Sequence, residues 1–565
     1  MKQKEWHKFY GNIPRSLHYP EGSLYDLLKK SIETHPHAVA YDFMDKTATY
    51  TGLGRQIDEF ACKFHRAGFR AGDTMSIIMP TSPQGIVAFY AVNKLGGVAA
   101  FIHPLSTEEE LKHYLSLSGS RFALTLDIFY EKVAAVKKDV PLEKLFVTKI
   151  STYMPPVKKL AYSVLMLPKK KVKPDPGWSV WLEKAEEKCQ TPPESVSAGS
   201  DALAVILFSG GTTGIPKGVM LTNKNIVSEG MMVAAWGRLY ETDTLLAILP
   251  IFHGFGLSVC VNAALMAGAK TVLIPKFTVK DVAKLIRKKR PTFLIGVPTL
   301  FKALLDEKTF RNADLSFLKM AFSGADTLPR TLKEEFDETV RKNGGKSVLL
   351  EGYGLTEAVT AIMAQPAGEY REGSIGLPFP DMDVKIVDPE TYQEKPHGEI
   401  GEIVVNGPAV MKGYLNNPEE TAATLKVHDD GKIWLHTGDL GYRDADGFFY
   451  FKQRLKRMIK SSGMNVYPSE VENVICQHEE VKFACVIGVE DAHQMTRIKA
   501  FVELHHPEKA SPEKEKELLA FVRKRLIKWS CPREIEFVEK LPLTKIGKVD
   551  FRKLEEKEHA KREGR

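Results

Sequence analysis

The chain has 565 residues, 43% of them hydrophobic, which is more than one core accommodates and ample for globular folding, so at least two domains are expected. Lysine and arginine number 79 against 71 aspartates and glutamates, a net charge of +8 that gives no argument for nucleic acid as a partner and suits small polyanionic ligands. Six cysteines, at 62, 189, 260, 476, 485 and 531, form no CxxC pair, so neither a zinc site nor a disulfide framework is indicated, and reduced thiols in the cytoplasm are expected. The N-terminus has no apolar h-region, and no apolar run reaches the length of a membrane span.

Residues 74–126 alternate strand and helix: a strand at 74–79, an apolar helix ending at Gly96-Gly97, a strand at 98–101, and a helix that Thr107 and Glu110 open as a capping box. Segment 158–173 sets Lys158 and Lys159, an apolar run at 160–167, and then Lys169, Lys170, Lys171 and Lys173 in a row. Two readings stand side by side: peripheral contact with the inner face of an anionic membrane, or a core-facing helix with solvated lysines at its ends. The apolar run 203–208 reads as a buried strand.

Directly after it comes Ser209, Gly210, Gly211, Thr212, Thr213, Gly214, Ile215, Pro216, Lys217. Glycines let backbone N–H groups approach anionic oxygens, hydroxyls add hydrogen bonds, and Lys217 brings a mobile positive charge, so the loop suits phosphate. It is not the P-loop of the common NTPases, because Ile-Pro-Lys follows Gly214 where that motif requires Gly-Lys-Ser/Thr opening a helix. Pro216 argues against a strand-loop-helix cradle.

Alternation resumes with strands at 244–250, 270–275 and 292–297 and a Thr278-capped helix running to Arg290, which predicts parallel sheets covered by helices. Between 370 and 450, β runs such as 383–387 and 399–405 predict a smaller β subdomain. Beyond Arg454, strands at 481–489 and 498–504 and a charged helix from Pro512 predict a compact α+β unit, and 555–565 reads as a frayed helix or a tail. The expected fold class is α/β, with a large multi-subdomain N-terminal domain over 1–453 and a small mobile lid over 454–565.

Further motifs follow the glycine-rich loop in order: Gly352-Tyr353-Gly354-Leu355-Thr356-Glu357, Thr437-Gly438-Asp439, Arg454-Leu455-Lys456 and Gly547-Lys548. Together they resemble the signature set of the adenylate-forming, AMP-dependent acyl-CoA synthetase superfamily over nearly the whole chain. Phe208 to Gly214, the Leu249-Pro-Ile-Phe-His253-Gly-Phe-Gly run and Met464-Asn-Val-Tyr-Pro468 look most like bacterial long-chain fatty-acid-CoA ligases.

The resemblance implies ATP-dependent activation of a medium- to long-chain fatty acid to acyl-AMP, then transfer to coenzyme A with release of AMP and pyrophosphate. Attack of a carboxylate on the α-phosphorus brings two anions together, and positive charge at the reacting phosphorus is what lowers that barrier. The resemblance gives that role to Lys548, with Lys545 the nearby rival. It makes Glu357 the Mg²⁺ ligand, with Thr356 beside it on the phosphates, because Mg²⁺ takes carboxylate and phosphate oxygens. Ser209 to Gly214 and Lys217 would hold the triphosphate, Ser323, Gly324 and Ala325 would border the adenine, Gly352, Tyr353 and Gly354 would flank the base, and Asp439 and Arg454 would meet the ribose. Lys456 is implied as a hinge, Ser462 and Gly463 as a loop beside the thiol channel, and His253 as channel lining. Glycines at 254, 256, 324 and 352 would leave room for a long chain, and Trp236 or Phe255 would close the tunnel.

Departures are Gln453, where an acid or glycine is usual, and Met495-Thr496, where Gly-Glu is usual; the second puts the thioester-forming conformation in question. Alternatives left open are an aryl- or branched-acid CoA ligase, an acyl-AMP ligase loading a carrier protein, and a catalytically decayed nucleotide-binding scaffold. The oligomeric state is also open, a homodimer among the options.

Overall fold

A computed structural model of the chain describes residues 4–165, 172–185, 192–196, 198–209, 216–461, 464–491, 495–527, 530–543 and 549–563. It divides into two compact units, one of Met1–Val384, Val405–Leu435 and Asp446–Phe448, the other of Lys385–Val404, His436–Ala445 and Phe449–Arg565.

The first unit is α/β and holds two large sheets. One runs in the order Leu377–Pro378, Ala361–Ala364, Leu349–Gly354, Met320–Ser323, Phe293–Gly296, Thr244–Ala247, Lys270–Leu273, Val39–Phe43, Lys46–Thr49, parallel through its centre and antiparallel at both ends. The other runs Gly413–Tyr414, Lys217–Thr222, Leu203–Ser209, Val98–Ile102, Thr74–Ile78, Phe122–Leu126, Lys144–Thr148, Ser179–Trp181. Near-continuous burial along Val98–Ile102 and Phe122–Leu126 is what a parallel strand covered on both faces requires.

Helix starts follow the capping chemistry. Thr107 Oγ1 accepts from Glu110 N at 3.2 Å while Glu110 Oε2 accepts from Thr107 N at 2.9 Å. Thr278 caps Val279–Lys289, and Arg290 ends that helix in the left-handed region at φ 47°. Leu246, Ile286, Leu294, Phe301, Phe310 and Phe336 build the core beneath, the rings of Phe301 and Phe336 meeting edge to face at 5.3 Å.

Helix Pro156–Leu165 carries the described start of 158–173. Val157, Leu160 and Val164, spaced i, i+3, i+7, are 80%, 69% and 58% exposed, so its apolar stripe faces outward rather than into the core. Lys158 Nζ anchors the inner side to Asp45 at 2.6 Å and to the Met44 carbonyl at 2.9 Å. Lys169, Lys170 and Lys171 lie outside the described residues.

The cysteine expectation fails at one position: Cys62, in the helix Tyr50–Arg66, is disulfide-bonded. Cys260, Cys476, Cys485 and Cys531 are free thiols. Scattered spacing carries no signal for a bond between residues that only the fold brings together.

In the second unit, strand Val481–Asp491 pairs antiparallel with Met495–Leu504, which pairs parallel with Glu534–Phe537. Helices Pro468–Ile475 and Pro512–Arg523 contribute Val471, Ile475, Leu518 and Val522 to a core with Val486, Ile498 and Val502. The C-terminal segment is a docked helix, Phe551–Glu563, rather than a tail. Its Leu554 is buried, and its Glu558 meets buried Lys499 at 3.0 Å beside Glu534 and Glu536, both at 2.8 Å.

Candidate active site

The strands on either side of the glycine-rich segment pair with each other. Strand Leu203–Ser209 pairs antiparallel with Lys217–Thr222, Ser209 standing opposite Lys217, so the chain reverses between two strands, in keeping with Pro216. Gly210, Gly211, Thr212, Thr213 and Gly214 lie outside the described residues. His113 Nε2 is 3.1 Å from the Pro216 carbonyl and fixes the returning stem. The mostly buried Lys217 ammonium pairs with Glu420 and sits 5.0 Å from the centre of the Tyr414 ring.

Tyr414 links this stem to the second motif. Its hydroxyl donates to Glu357 Oε1 at 2.9 Å, and Met411 N donates to the Glu357 carbonyl at 2.8 Å. Burial and the neighbouring Glu357 carboxylate hold the Tyr414 phenol far above its ordinary pKa, so it stays a donor. Two motifs far apart in sequence thus meet through one tyrosine. Neither Tyr414 nor Glu420 stands in a recognisable pattern; Tyr414 enters because the short strand Gly413–Tyr414 adds to the edge of Lys217–Thr222.

Thr356 and Glu357 lie on a single 3₁₀ turn, Thr356–Ala358, at the tip of a hairpin whose base pairs Gly354 with Ala361. The turn closes at Val359, φ 65° and ψ −66°, where Thr360 N donates back to the Ala358 carbonyl at 2.8 Å. That is a γ-turn, strained for any residue and most for a β-branched one, and it persists only where neighbours over-determine it. They do: a Cβ on Gly354 would lie 1.4 Å from the Thr360 carbonyl oxygen, and one on Gly254 would lie 2.1 Å from that of Val359.

Ser323 ends the strand Met320–Ser323 and Gly324 follows it, beside the carboxyl end of Leu349–Gly354, where open α/β sheets bind ligands. Both are buried, and the exposed part of their loop begins at Ala325, φ 67°. Gly352, Tyr353 and Gly354 are half-buried on the adjacent strand. Among these, Glu351 is buried, accepts from Leu328 N at 3.3 Å, and has its carboxyl pushed up to about 8 by desolvation.

His253 is exposed, and its Nδ1 accepts from Phe255 N at 3.2 Å. The expectation of open space at the nearby glycines does not hold. A Cβ on Gly256 would lie 2.3 Å from the Pro250 carbonyl oxygen, and the side of Gly324 is filled by the Phe255 ring at 3.2 Å and the Gly352 carbonyl oxygen at 3.2 Å. These glycines permit close backbone packing. Trp236 is a core residue, its Nε1 donating to the Gln365 carbonyl at 3.4 Å and its ring against Tyr10 and Phe379.

The second unit builds its own carboxylate site. Asp439 and Arg454 are cross-strand partners, Arg454 Nε lying 2.9 Å from Asp439 Oδ1, with the guanidinium also donating to the Thr437 carbonyl at 3.3 Å. Asp439 is buried while Arg454 is half exposed, so the acid is fixed and the base reaches outward. Thr437 Oγ1 accepts from Asp439 N at 3.1 Å, and Glu402 Oε1 accepts from Gly438 N at 2.9 Å. Glu402 in turn meets His436 Nδ1 at 2.7 Å. Sequence reading did not find Glu402 or His436.

Lys456 is exposed on the 3₁₀ turn Leu455–Arg457, and the next residue, Arg457, is anchored to Glu472 at 2.6 Å. Ser462, Gly463 and Lys548 lie outside the described residues; Leu543 and Val549, on either side of 544–548, form an antiparallel bridge.

The residues around Glu357 fit a hard divalent cation, since a carboxylate with one oxygen held by a phenol offers the ligand type that Mg²⁺ combines with phosphate oxygens. Glu357 would hold the ion, which would supply charge neutralisation at the phosphates.

Helix-covered parallel sheets, with the Lys217 strand and the Glu357 turn joined through Tyr414, define an α/β protein. The chain belongs to the AMP-binding enzyme family, whose model matches residues 28–415, and whose C-terminal domain matches 470–548. It is 36% identical over 567 residues to a long-chain-fatty-acid–CoA ligase of Bacillus subtilis strain 168, with 98% of each chain covered. The crystal structure of ATP-bound MatB from Rhodopseudomonas palustris superposes with a TM-score of 0.82 at 27% identity, covering 95% of this chain and 98% of that one. The anthranilate CoA ligase AuaEII in complex with anthranoyl-AMP superposes with a TM-score of 0.81 at 25% identity, covering 98% and 99%.

Proposed function

We propose that the protein uses ATP to activate a medium- to long-chain fatty acid to acyl-AMP, releasing pyrophosphate, and then transfers the acyl group to coenzyme A, releasing AMP. The meeting of Lys217 and Glu357 through Tyr414, beside the stem of the glycine-rich hairpin, carries the adenylation half of this reading. The near-full-length similarity to a long-chain-fatty-acid–CoA ligase supports the substrate class. Lys217 and the 209–214 loop hold the triphosphate, Thr356 and Glu357 the phosphates and Mg²⁺, the 323–325 and 352–354 segments the adenine, and Asp439 with Arg454 the ribose. Lys548 places its charge at the reacting phosphorus. Lys456 is the hinge about which the lid, 454–565, exchanges Lys548 for the Ser462–Gly463 loop, and His253 lines the thiol path.

The test is pyrophosphate release with ATP and magnesium across acetate, octanoate, palmitate and benzoate, each with and without coenzyme A. Coenzyme-dependent turnover that is highest with palmitate is the expected result. A benzoate optimum would replace the fatty acid by an aryl acid. Acyl-AMP without any thioester product would move the reading to carrier loading, and silence on every acid to a scaffold.

The outward stripe of Val157, Leu160 and Val164 supports a second element of the same reading, peripheral contact with an anionic lipid surface that also holds the substrate. Lysines 159, 169, 170, 171 and 173 supply charge complementarity, and no helix among the described residues is long and apolar enough to cross a membrane. The full chain is expected to co-sediment with phosphatidylglycerol vesicles and less with phosphatidylcholine ones. Leu160→Asp with Val164→Asp should remove most of that binding without changing turnover on octanoate; binding equal to the parent would reject the surface.

A further inference from the structure

Glu229 is a fully buried carboxyl that the adenylation reading does not use. It sits in the helix Asn223–Gly237 at 0% exposure and reaches two other segments. On one side the Ser258 hydroxyl donates to its Oε2, and on the other Ala361 N donates to its Oε1 at 3.2 Å. Ser258 belongs to Phe255–Asn262, a π-helix that begins immediately after His253-Gly254. Ala361 is the base of the hairpin whose tip holds Thr356, Glu357 and the strained Val359.

Each segment needs such an anchor. π-Helices are rare and recur at functional sites, because wide turns survive only where side chains tie them down. This one is tied a second time through Asn262, whose Oδ1 accepts from Tyr90 OH at 2.8 Å and whose Nδ2 donates to the Ile226 carbonyl at 3.3 Å. Gly230 lets the helix approach closely, since a Cβ there would meet Met266 Sδ at 2.8 Å and Asn262 Nδ2 at 2.9 Å. The hairpin tip is held by Tyr414 and Met411, and at its base by Glu229.

We propose that Glu229 is a positioning residue that clasps the π-helix following His253 to the hairpin that carries Thr356 and Glu357, setting the distance between carboxylate substrate and phosphates. This rests on the ligase reading for its catalytic consequence, but the clasp itself is a property of the free protein. Desolvation pushes the Glu229 carboxyl up to about 8, and the titratable neighbour facing it, buried Cys260, is itself pushed up to about 12, so the clasp is a neutral one near pH 7. A glutamine amide can meet the same two neighbours, its oxygen accepting from Ala361 N–H and its NH₂ donating to the Ser258 oxygen in place of the bond that the Ser258 hydroxyl donates to Oε2. That equivalence separates this role from simple core filling.

Three variants test it in the full chain. Glu229→Ala should lower kcat for pyrophosphate release about 10- to 100-fold, because a loosened site loses its near-attack geometry, while KM for ATP stays within about threefold. Glu229→Gln should recover most of that loss. Ser258→Ala, which removes the same bond with a smaller cavity, should lower kcat about three- to tenfold. Amide hydrogen exchange on the free protein supplies a readout independent of activity: protection at Ala361 and along 255–262 should fall in Glu229→Ala and be kept in Glu229→Gln. Parental kcat and parental protection in both alanine variants overturns the clasp. A parent enzyme silent on every acid rejects the ligase reading alone, and the exchange data then decide the clasp.

Discussion

Lys548→Ala is expected to lower pyrophosphate release with ATP, magnesium and palmitate by about 10²- to 10³-fold, the usual cost of removing one preorganised charge from the reacting centre. The physical reason is specific to the first half-reaction. A fatty carboxylate must approach an α-phosphate that already carries negative charge, and the attacking and leaving oxygens both gain from a cation at the phosphorus. The thioester-forming step has no such demand, since a thiol attacks a neutral acyl carbon with AMP as leaving group. The variant should therefore convert supplied acyl-AMP and coenzyme A to acyl-CoA at near the parental rate. On the proposed roles of Lys217, Asp439 and Arg454 in holding the nucleotide, ATP affinity should change by less than about tenfold. Equal loss in both half-reactions would point to a collapsed lid, and unchanged pyrophosphate release would remove Lys548 from the reaction.

Local chemistry was the most legible part of the chain. The Thr107-Glu110 box and the Thr278 cap are set by residues three apart, and both helices begin where those residues put them. Pro216 was enough to turn the glycine-rich loop from a strand-helix cradle into a hairpin. What failed was whatever depends on chain segments meeting from a distance. Tyr414 and Glu420 complete the lysine stem, and Glu402 with His436 buttresses the Asp439 turn, yet each is an ordinary side chain in its own neighbourhood. The disulfide at Cys62 belongs to the same class. Glycine was misread for a related reason: composition reports a missing side chain but not what fills the gap. At Gly254 and Gly256 the filler is a carbonyl oxygen, and at Gly324 it is the Phe255 ring.

Those long-range contacts make the Glu357 turn the second sensitive point. Glu357→Gln keeps the shape of the side chain and leaves Oε1 able to accept from Tyr414, so the fold and the γ-turn at Val359 should persist, with a melting temperature close to that of the parent. What it removes is the negative charge of the proposed Mg²⁺ ligand. Mg²⁺ bound through a carboxylate and phosphate oxygens loses its protein anchor, and pyrophosphate release is expected to fall by about 10²-fold or more. Raising the magnesium concentration should recover part of that activity, because an ion carried in by the nucleotide can still reach the site at higher occupancy. Tyr414→Phe should cost less, about tenfold, since it deletes one hydrogen bond to a charged group and leaves the carboxylate in place. The order of the two losses separates the roles. If Tyr414→Phe proves as damaging as Glu357→Gln and magnesium rescues neither, the carboxylate acts by holding the turn together, and the cation must be sought on other oxygens.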